Sequence, residues 1–232
     1  PYVDEIELIG ISDETARVNA LVSGDVHLIA GISPRSIRQI TATPGYSIFE
    51  TKAGYYTDLV MRQDADPTKN PDFALMMKYL FDREEVKTAV FRGYAVTAND
   101  QPIDPTSRYF NKDLPMRPFD LDKAKFHFQK SGVGTTPVEL YTSPAAPGSV
   151  EMGVLLQEAA KKIGFNLDVK QVPAAGYWSN YWMKKPLGFG AINPRPSADI
   201  LLTLFFKSDA NWNETAWKNE KCDQLIVAAR GE

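Results

Sequence analysis

Phe73, Met76, Met77 and Leu80 recur at i, i+3, i+4 and i+7, which predicts a helix with one buried face from residue 72 onward. A second helix is predicted after Asp82, with Val86, Val90 and Phe91 inward and Gly93 at its end. Residues 120–130 read as a third, ended near Gly132. Upstream the period changes. Glu5-Ile6-Glu7-Leu8-Ile9 alternates polar and apolar and predicts a half-buried strand. Residues 13–22 predict a helix with Ala16, Ala20 and Leu21 at helical spacing, Ser12 or Asp13 as N-cap and Gly24 as stop. Short strands are predicted at 26–30, 47–50 and 55–62, the last two separated by Lys52-Ala53-Gly54. Downstream, strands at 138–141, 166–172 and 188–192 alternate with helices at 149–163, 176–183 and 197–206, and a last helix covers 219–229. This βαβαβα order predicts an α/β layer with some parallel pairing. Residues 66–71 form a turn-rich linker. The Pro-rich stretch 98–118 is too long for a plain connection and is expected to wrap over a surface or border a site.

Composition narrows the class. The chain has 232 residues, 44% of them apolar, 24% charged and 11% aromatic, as in a soluble folded protein with a sizeable core. Lys and Arg number 26 against 29 Asp and Glu, and a net charge of −3 lacks the basic surplus of a nucleic-acid binder. The longest apolar stretch, residues 200–206, is interrupted by Thr203 and falls far short of the roughly 20 residues of a membrane span. The single cysteine, Cys222, allows no internal disulfide and no Cys-based zinc site, and reads as packing or a free thiol. The first residues lack the basic start and apolar core of a signal peptide. With Pro1 in place of an initiator Met, the sequence is expected to belong to a longer chain.

Few motifs carry chemistry. Gly188-Phe189-Gly190 supplies two glycines of a dinucleotide loop, but Pro194 and Pro196 occupy the turn that follows. His27 and His127 lie far apart with no metal-binding spacing, and each reads as structural. There is no nucleophile elbow, and the carboxylates read as exposed by default. No catalytic residue, metal site or cofactor is expected, and the protein is not expected to be an enzyme. Aromatic residues are the remaining signal. Tyr177-Trp178-Ser179-Asn180-Tyr181-Trp182 places four large rings in six residues. On a helix Trp178 shares a face with Tyr181 or Trp182, and Tyr177 points away. The rings either pack on the sheet or in part line a ligand cleft, and Tyr55-Tyr56 has the same two readings.

Several segments, in order, resemble the extracellular solute-binding protein family 5, which serves peptide, nickel and opine ABC importers. Ala20-Leu21-Val22-Ser23-Gly24-Asp25-Val26 is similar to a stretch of the family's first lobe, with His27 where an Asp is usual. Asn70-Pro71-Asp72-Phe73, Phe81-Asp82-Arg83-Glu84-Glu85-Val86, Phe91-Arg92-Gly93 and Gln101-Pro102-Ile103-Asp104-Pro105 resemble the central signature. Asp122-Lys123-Ala124-Lys125 with Ser131-Gly132, and Trp212-Asn213-Glu214-Thr215 with Trp217-Lys218-Asn219-Glu220 and Asp223-Gln224-Leu225-Ile226, complete the match over nearly the whole chain.

The resemblance implies a periplasmic binding protein-like α/β fold (type II, peptide-binder class), mostly one α/β lobe plus strands of the other. Residues 1–66 would be the C-terminal part of the first lobe with hinge strands, 67–206 the second lobe, and 207–232 a truncated return towards the first. The implied function is a monomeric, periplasmic or extracytoplasmic receptor of an ABC importer. It would hold a peptide or peptide-like small molecule between two lobes and deliver it to membrane permease subunits. A ligand-sensing domain of a transcription regulator is the alternative, and a hydrolase the third reading. Family likeness places Trp178, Ser143 and Ala191-Ile192-Asn193-Pro194-Arg195-Pro196 at the ligand, and Tyr177, Tyr55 and Tyr56 are added as candidate rings. The sequence departs from peptide binders in having no acid from residue 191 to 198, where a ligand ammonium would be met. Asp199 is explained by the start of a helix. Arg195, the only charge there, either reads an anionic ligand group or ties down a Pro-rich turn.

Overall fold

The structure is a computed structural model that describes residues 2–51 and 54–231. Lys52 and Ala53, part of the turn expected before the strand at 55–62, lie outside the described residues. The chain divides into two compact units, Pro1–Thr51 and Lys52–Glu232.

The first unit is built on two helices. In α1 (Glu14–Ser23) the Asp13 side chain accepts from the Ala16 N–H at 2.8 Å, and Gly24 closes the helix at φ 85°, so cap and stop fall where the pattern puts them. α2 (Pro34–Thr41) was not foreseen, although Pro34 at its first turn and Ile37 and Ile40 three apart were available signals. Glu14 accepts from the Ser33 N–H at 2.9 Å and from the Ser36 hydroxyl, which ties α1 to the start of α2. Val18, Leu21 and Ile40 form a small core. The strands expected at 5–9, 26–30 and 47–50 are not formed. An alternating segment becomes a strand only when another strand satisfies its backbone, and no pairing partner exists among the described residues of this unit.

The second unit holds a four-stranded sheet of order β1-β4-β2-β3. Its strands are β1 (Tyr56–Met61), β2 (Val138–Thr142), β3 (Leu167–Gln171) and β4 (Leu187–Ile192). β2 is parallel to β3 and to β4, and β1 closes the edge antiparallel to β4 from Tyr56↔Ile192 to Met61↔Leu187. β1 is hydrogen-bonded along its length to β4 and so lies in the second unit. Residues 207–231 pack in this unit, where Ser208 N–H donates to Asp223 at 2.9 Å and Gln63 N–H to the Thr215 carbonyl at 2.7 Å.

One face of the sheet carries the main core. Met61, Leu187 and Phe189 point into it with Phe73, Met76, Met77 and Leu80 from α3 (Pro71–Leu80) and Met152 and Leu156 from α6 (Ser149–Lys162). The i, i+3, i+4, i+7 stripe of α3 is therefore the buried stripe. The helix expected after Asp82 starts as α4 (Arg83–Glu85) and widens into a turn over Val86–Val90, where the Thr88 hydroxyl donates to the Glu84 and Glu85 carbonyls. α5 (Leu121–Ser131) is capped by Asp120 and closed by Gly132 at φ 69°. α7 (Tyr177–Asn180), α8 (Ala198–Phe205) and α9 (Glu220–Ala228) complete the unit.

Candidate functional site

β2 runs through α6 to β3 on one flank, and β3 runs back through α7 to β4 on the other. Where crossovers leave in opposite directions from neighbouring parallel strands, a crevice opens at the carboxyl ends. Here β2 and β4 pair only at Tyr141↔Gly188 and then part. The Tyr177 hydroxyl fills the gap. It donates to the Phe189 carbonyl at 2.7 Å and accepts from the Phe189 N–H at 3.1 Å, as a strand would. Burial pushes this phenol up to about 12. Tyr177 is 1% exposed, so the ring expected at a ligand is a core residue that completes the sheet. Tyr177→Phe leaves both backbone groups of Phe189 without partners. It is expected to lower stability by about 1–3 kcal/mol in chemical denaturation, with no change of fold in circular dichroism.

The other expected residues gather at this end of the sheet, in different states. Ser143, after β2, is fully buried: its hydroxyl donates to the Pro173 carbonyl at 3.2 Å, and its N–H donates to Ser149 Oγ at 3.0 Å. It pins the β2–α6 loop to the loop after β3 and shows no free surface. Ile192, at the end of β4, packs with Leu201 and Phe205 of α8. Ala191 lies half-buried against the main core, and Asn193 is exposed. Tyr56 is half-buried against the Ile192 cluster, and Tyr55 is exposed. Burial pushes both phenols up; for Tyr56, Asp58 and Glu214 add to the rise and Arg195 opposes it.

Trp178 is 41% exposed, the main open ring of the aromatic segment. It stands edge-on to Tyr177 (centroids 5.1 Å) and to Trp182 (5.6 Å, 86°). The Trp182 indole N–H donates to Glu214 Oε2 at 2.6 Å. Arg195 is half-buried, its guanidinium 5.4 Å over the Phe205 ring and 5.8 Å over the Trp212 ring. Its Nη1 donates to the Asn193 and Pro194 carbonyls at 3.0 and 3.2 Å, and no carboxylate pairs with it among the described residues. The arginine thus ties its own turn and keeps an uncompensated charge. A shallow cleft of about 200 Å³ lies beside it, lined by Arg195, Ser197, Leu201 and, from the long loop, Ile103, Asp104 and Thr106. Hydrogen bonds from the Thr106 hydroxyl and N–H hold the Asp104 carboxyl below the usual carboxylate range.

Two functional candidates escaped the sequence reading. Asp58, on β1 opposite Gly190, and Glu214, 5% exposed, bring their carboxyl groups together on the sheet face away from the main core. Among the described residues no group of three His, Cys, Asp or Glu side chains is placed to hold a metal ion.

The model for the middle part of the bacterial extracellular solute-binding proteins, family 5, matches residues 1–213. The chain belongs to this family. The nickel-binding protein NikA of Staphylococcus aureus is 23% identical over 232 residues, 97% of this chain and 46% of that protein. Heme-binding protein A of Haemophilus influenzae is 22% identical over 242 residues, 99% of this chain and 43% of that protein. The chain spans about half the length of the curated relatives it matches. The periplasmic binding protein DppA of Helicobacter pylori, solved in complex with peptide STSA, superposes with a TM-score of 0.82 at 18% identity, over 94% of this chain and 44% of that one. The α/β periplasmic binding protein fold implied by the sequence is the fold of these neighbours. No helix among the described residues is long and apolar enough to cross a membrane.

Proposed function

We propose that this chain is part of the solute receptor of an ABC importer, which captures a peptide or peptide-like small molecule and hands it to permease subunits outside the cytoplasm. The supporting observation is that, in a member of a solute-binding family, the segments that follow the parallel strands β3 and β4 carry an open aromatic ring, Trp178, and a cation with no carboxylate partner among the described residues, Arg195. Relatives named for nickel and heme and a neighbour holding a peptide keep the ligand class wide, and the residues at the site narrow it. Residues 143, 177 and 192 shape the floor from below, and Tyr55, Trp178 and Asn193 offer exposed surface. Arg195 reads an anionic group of the ligand: its guanidinium lies over the two adjacent rings of Phe205 and Trp212, and no carboxylate pairs with it among the described residues. Capture is reversible binding, with no bond made or broken.

Native mass spectrometry of the intact protein purified from its host identifies what it carries. With that ligand, Arg195→Ala is expected to weaken binding about 10–100-fold in calorimetry, the worth of a hydrogen bond to a charged group. Arg195→Lys should recover little, since an ammonium neither forks nor stacks in the same way. Wild-type affinity in Arg195→Ala rejects the anion reading, and a protein that carries and binds no small molecule rejects the receptor.

A further inference from the structure

Glu214 and Asp58 lie far apart in sequence and meet over a glycine. A Cβ at Gly190 would sit 2.3 Å from Glu214 Oε2 and 2.7 Å from Asp58 Oδ1, so both carboxyl groups crowd the space that the missing side chain leaves. Asp58 Oδ1 is buried without a hydrogen-bond partner, and Trp182 Nε1 is the protein donor to Glu214 among the described hydrogen bonds. The titratable and charged groups facing the pair are Tyr56 from β1, Tyr177 from α7 and, acting through Tyr56, Arg195 from the β4–α8 loop. No cation bridges the two acids among the described residues. Two ionised carboxylates in contact and out of water repel each other strongly, and a proton held between them removes that repulsion.

We propose that Asp58 and Glu214 share one proton, held on Glu214 and donated towards Asp58, and that the pair is a positioning element: it fixes the Trp182 indole and through it the exposed Trp178 ring at the ligand site. Its second half rests on the receptor reading above; the first does not. Burial, and then the charge of Asp58, pushes Glu214 well above the usual carboxylate range, and burial raises Asp58 to about 6. The chain of contact is continuous. The pair holds Trp182 by its N–H at 2.6 Å, and Trp182 meets Trp178 edge-on. The folded protein keeps a proton that the unfolded chain releases near the ordinary carboxylate pKa of about 4. The stability this contributes is full below that pH and is lost as pH rises through the raised pKa of Glu214.

Infrared spectroscopy in H2O and D2O tests the proton without any ligand. The wild type is expected to show a protonated-carboxyl C=O band at neutral pH that shifts in D2O and is missing from Glu214→Gln. On raising the pH the band should fade with the same midpoint as a change in tryptophan emission, and Glu214→Gln should show neither. Absence of the band, or its survival in the variant, overturns the shared proton. Glu214→Gln keeps a donor for Asp58 and an acceptor for Trp182, so its melting temperature should rise relative to wild type as pH rises. Should that variant not fold, Asp58→Asn, which removes the neighbouring charge and leaves the burial of Glu214 in place, should show a band that fades at a lower pH than in wild type. For the positioning role, Glu214→Gln should bind the native ligand within about threefold of wild type and Glu214→Ala about tenfold more weakly. Wild-type binding by Glu214→Ala overturns that role, whereas a wild type that binds nothing rejects the receptor and leaves the infrared result standing.

Discussion

Gly190→Ala is expected to destabilise the second unit by about 3 kcal/mol, while the same change two residues away costs under about 1 kcal/mol. The difference lies in what waits above each glycine. A methyl at 190 arrives 2.3 Å from Glu214 Oε2 and 2.7 Å from Asp58 Oδ1, distances no relaxed structure keeps, and a tight 3.1 Å from Glu214 Cδ. A methyl at 188 finds the Tyr141 carbonyl at 3.4 Å and Tyr177 Oη at 3.6 Å, close to ordinary contact. Neither glycine has a positive φ, so neither substitution adds backbone strain. The backbone on either side of Glu214 is held in place. Asn213, buried beside it, donates to the Lys207 and Trp217 carbonyls at 3.3 and 2.6 Å, and the Thr215 carbonyl on its other side is held by Gln63 N–H at 2.7 Å. The added methyl must therefore part the two carboxyl groups or break the Trp182 bond. Urea titrations of the two variants make the comparison. A loss at 190 no larger than at 188 would show that the carboxyl pair moves aside freely. A double mutant with Glu214→Ala should recover part of the loss, because the two sites share one space.

Local patterns were legible where a single element explains them. The α3 stripe, the Asp13 cap and the stops at Gly24 and Gly132 all follow from interactions within a few residues. The expected strands of the first unit failed for the opposite reason. Glu5-Ile6-Glu7-Leu8-Ile9 alternates well, yet a strand exists only with its neighbour, and alternation in one segment cannot supply one. At the site, Tyr177, Trp178, Ser143 and the 191–195 turn were named as ligand residues, mainly from family resemblance, and the strand order brings them to one end of the sheet. The sequence could not say which of them face inwards. Tyr177 and Trp178 are adjacent and aromatic, and one is core while the other is open, because only the first can reach the backbone of Phe189. The acid pair was invisible for a plainer reason: each carboxylate alone reads as surface, and nothing local joins residue 58 to residue 214. The available hints were Asp58 next to the apolar run Leu59-Val60-Met61 and two glycines on β4, Gly188 and Gly190, which leave room on one face of that strand, with Gly190 opposite Asp58.

Phe73→Ala is expected to have the largest effect on stability, about 3–5 kcal/mol. Phe73 is fully buried at the centre of the main core, edge-on to Phe165 with centroids 5.9 Å apart at 84°. Phe165 in turn lies 5.6 Å from Phe128 of α5. Removing the first ring opens a cavity where α3, α5 and the start of β3 meet, and a close-packed interior relaxes only partly into it. Against a total of about 5–15 kcal/mol for a domain of ordinary stability, that is a large share. Phe73→Leu keeps most of the volume and should cost about half as much. The same pair of variants separates stability from binding. The core face of the sheet, where Phe73 sits, is opposite the face that carries Asp58 and Gly190. In both variants the unfolding midpoint should fall, whereas the dissociation constant measured well below that midpoint should stay within about twofold of wild type. A parallel loss of affinity in the folded protein would mean that the core layer sets the geometry of the loops at the carboxyl ends directly, and that the two faces of the sheet do not act independently.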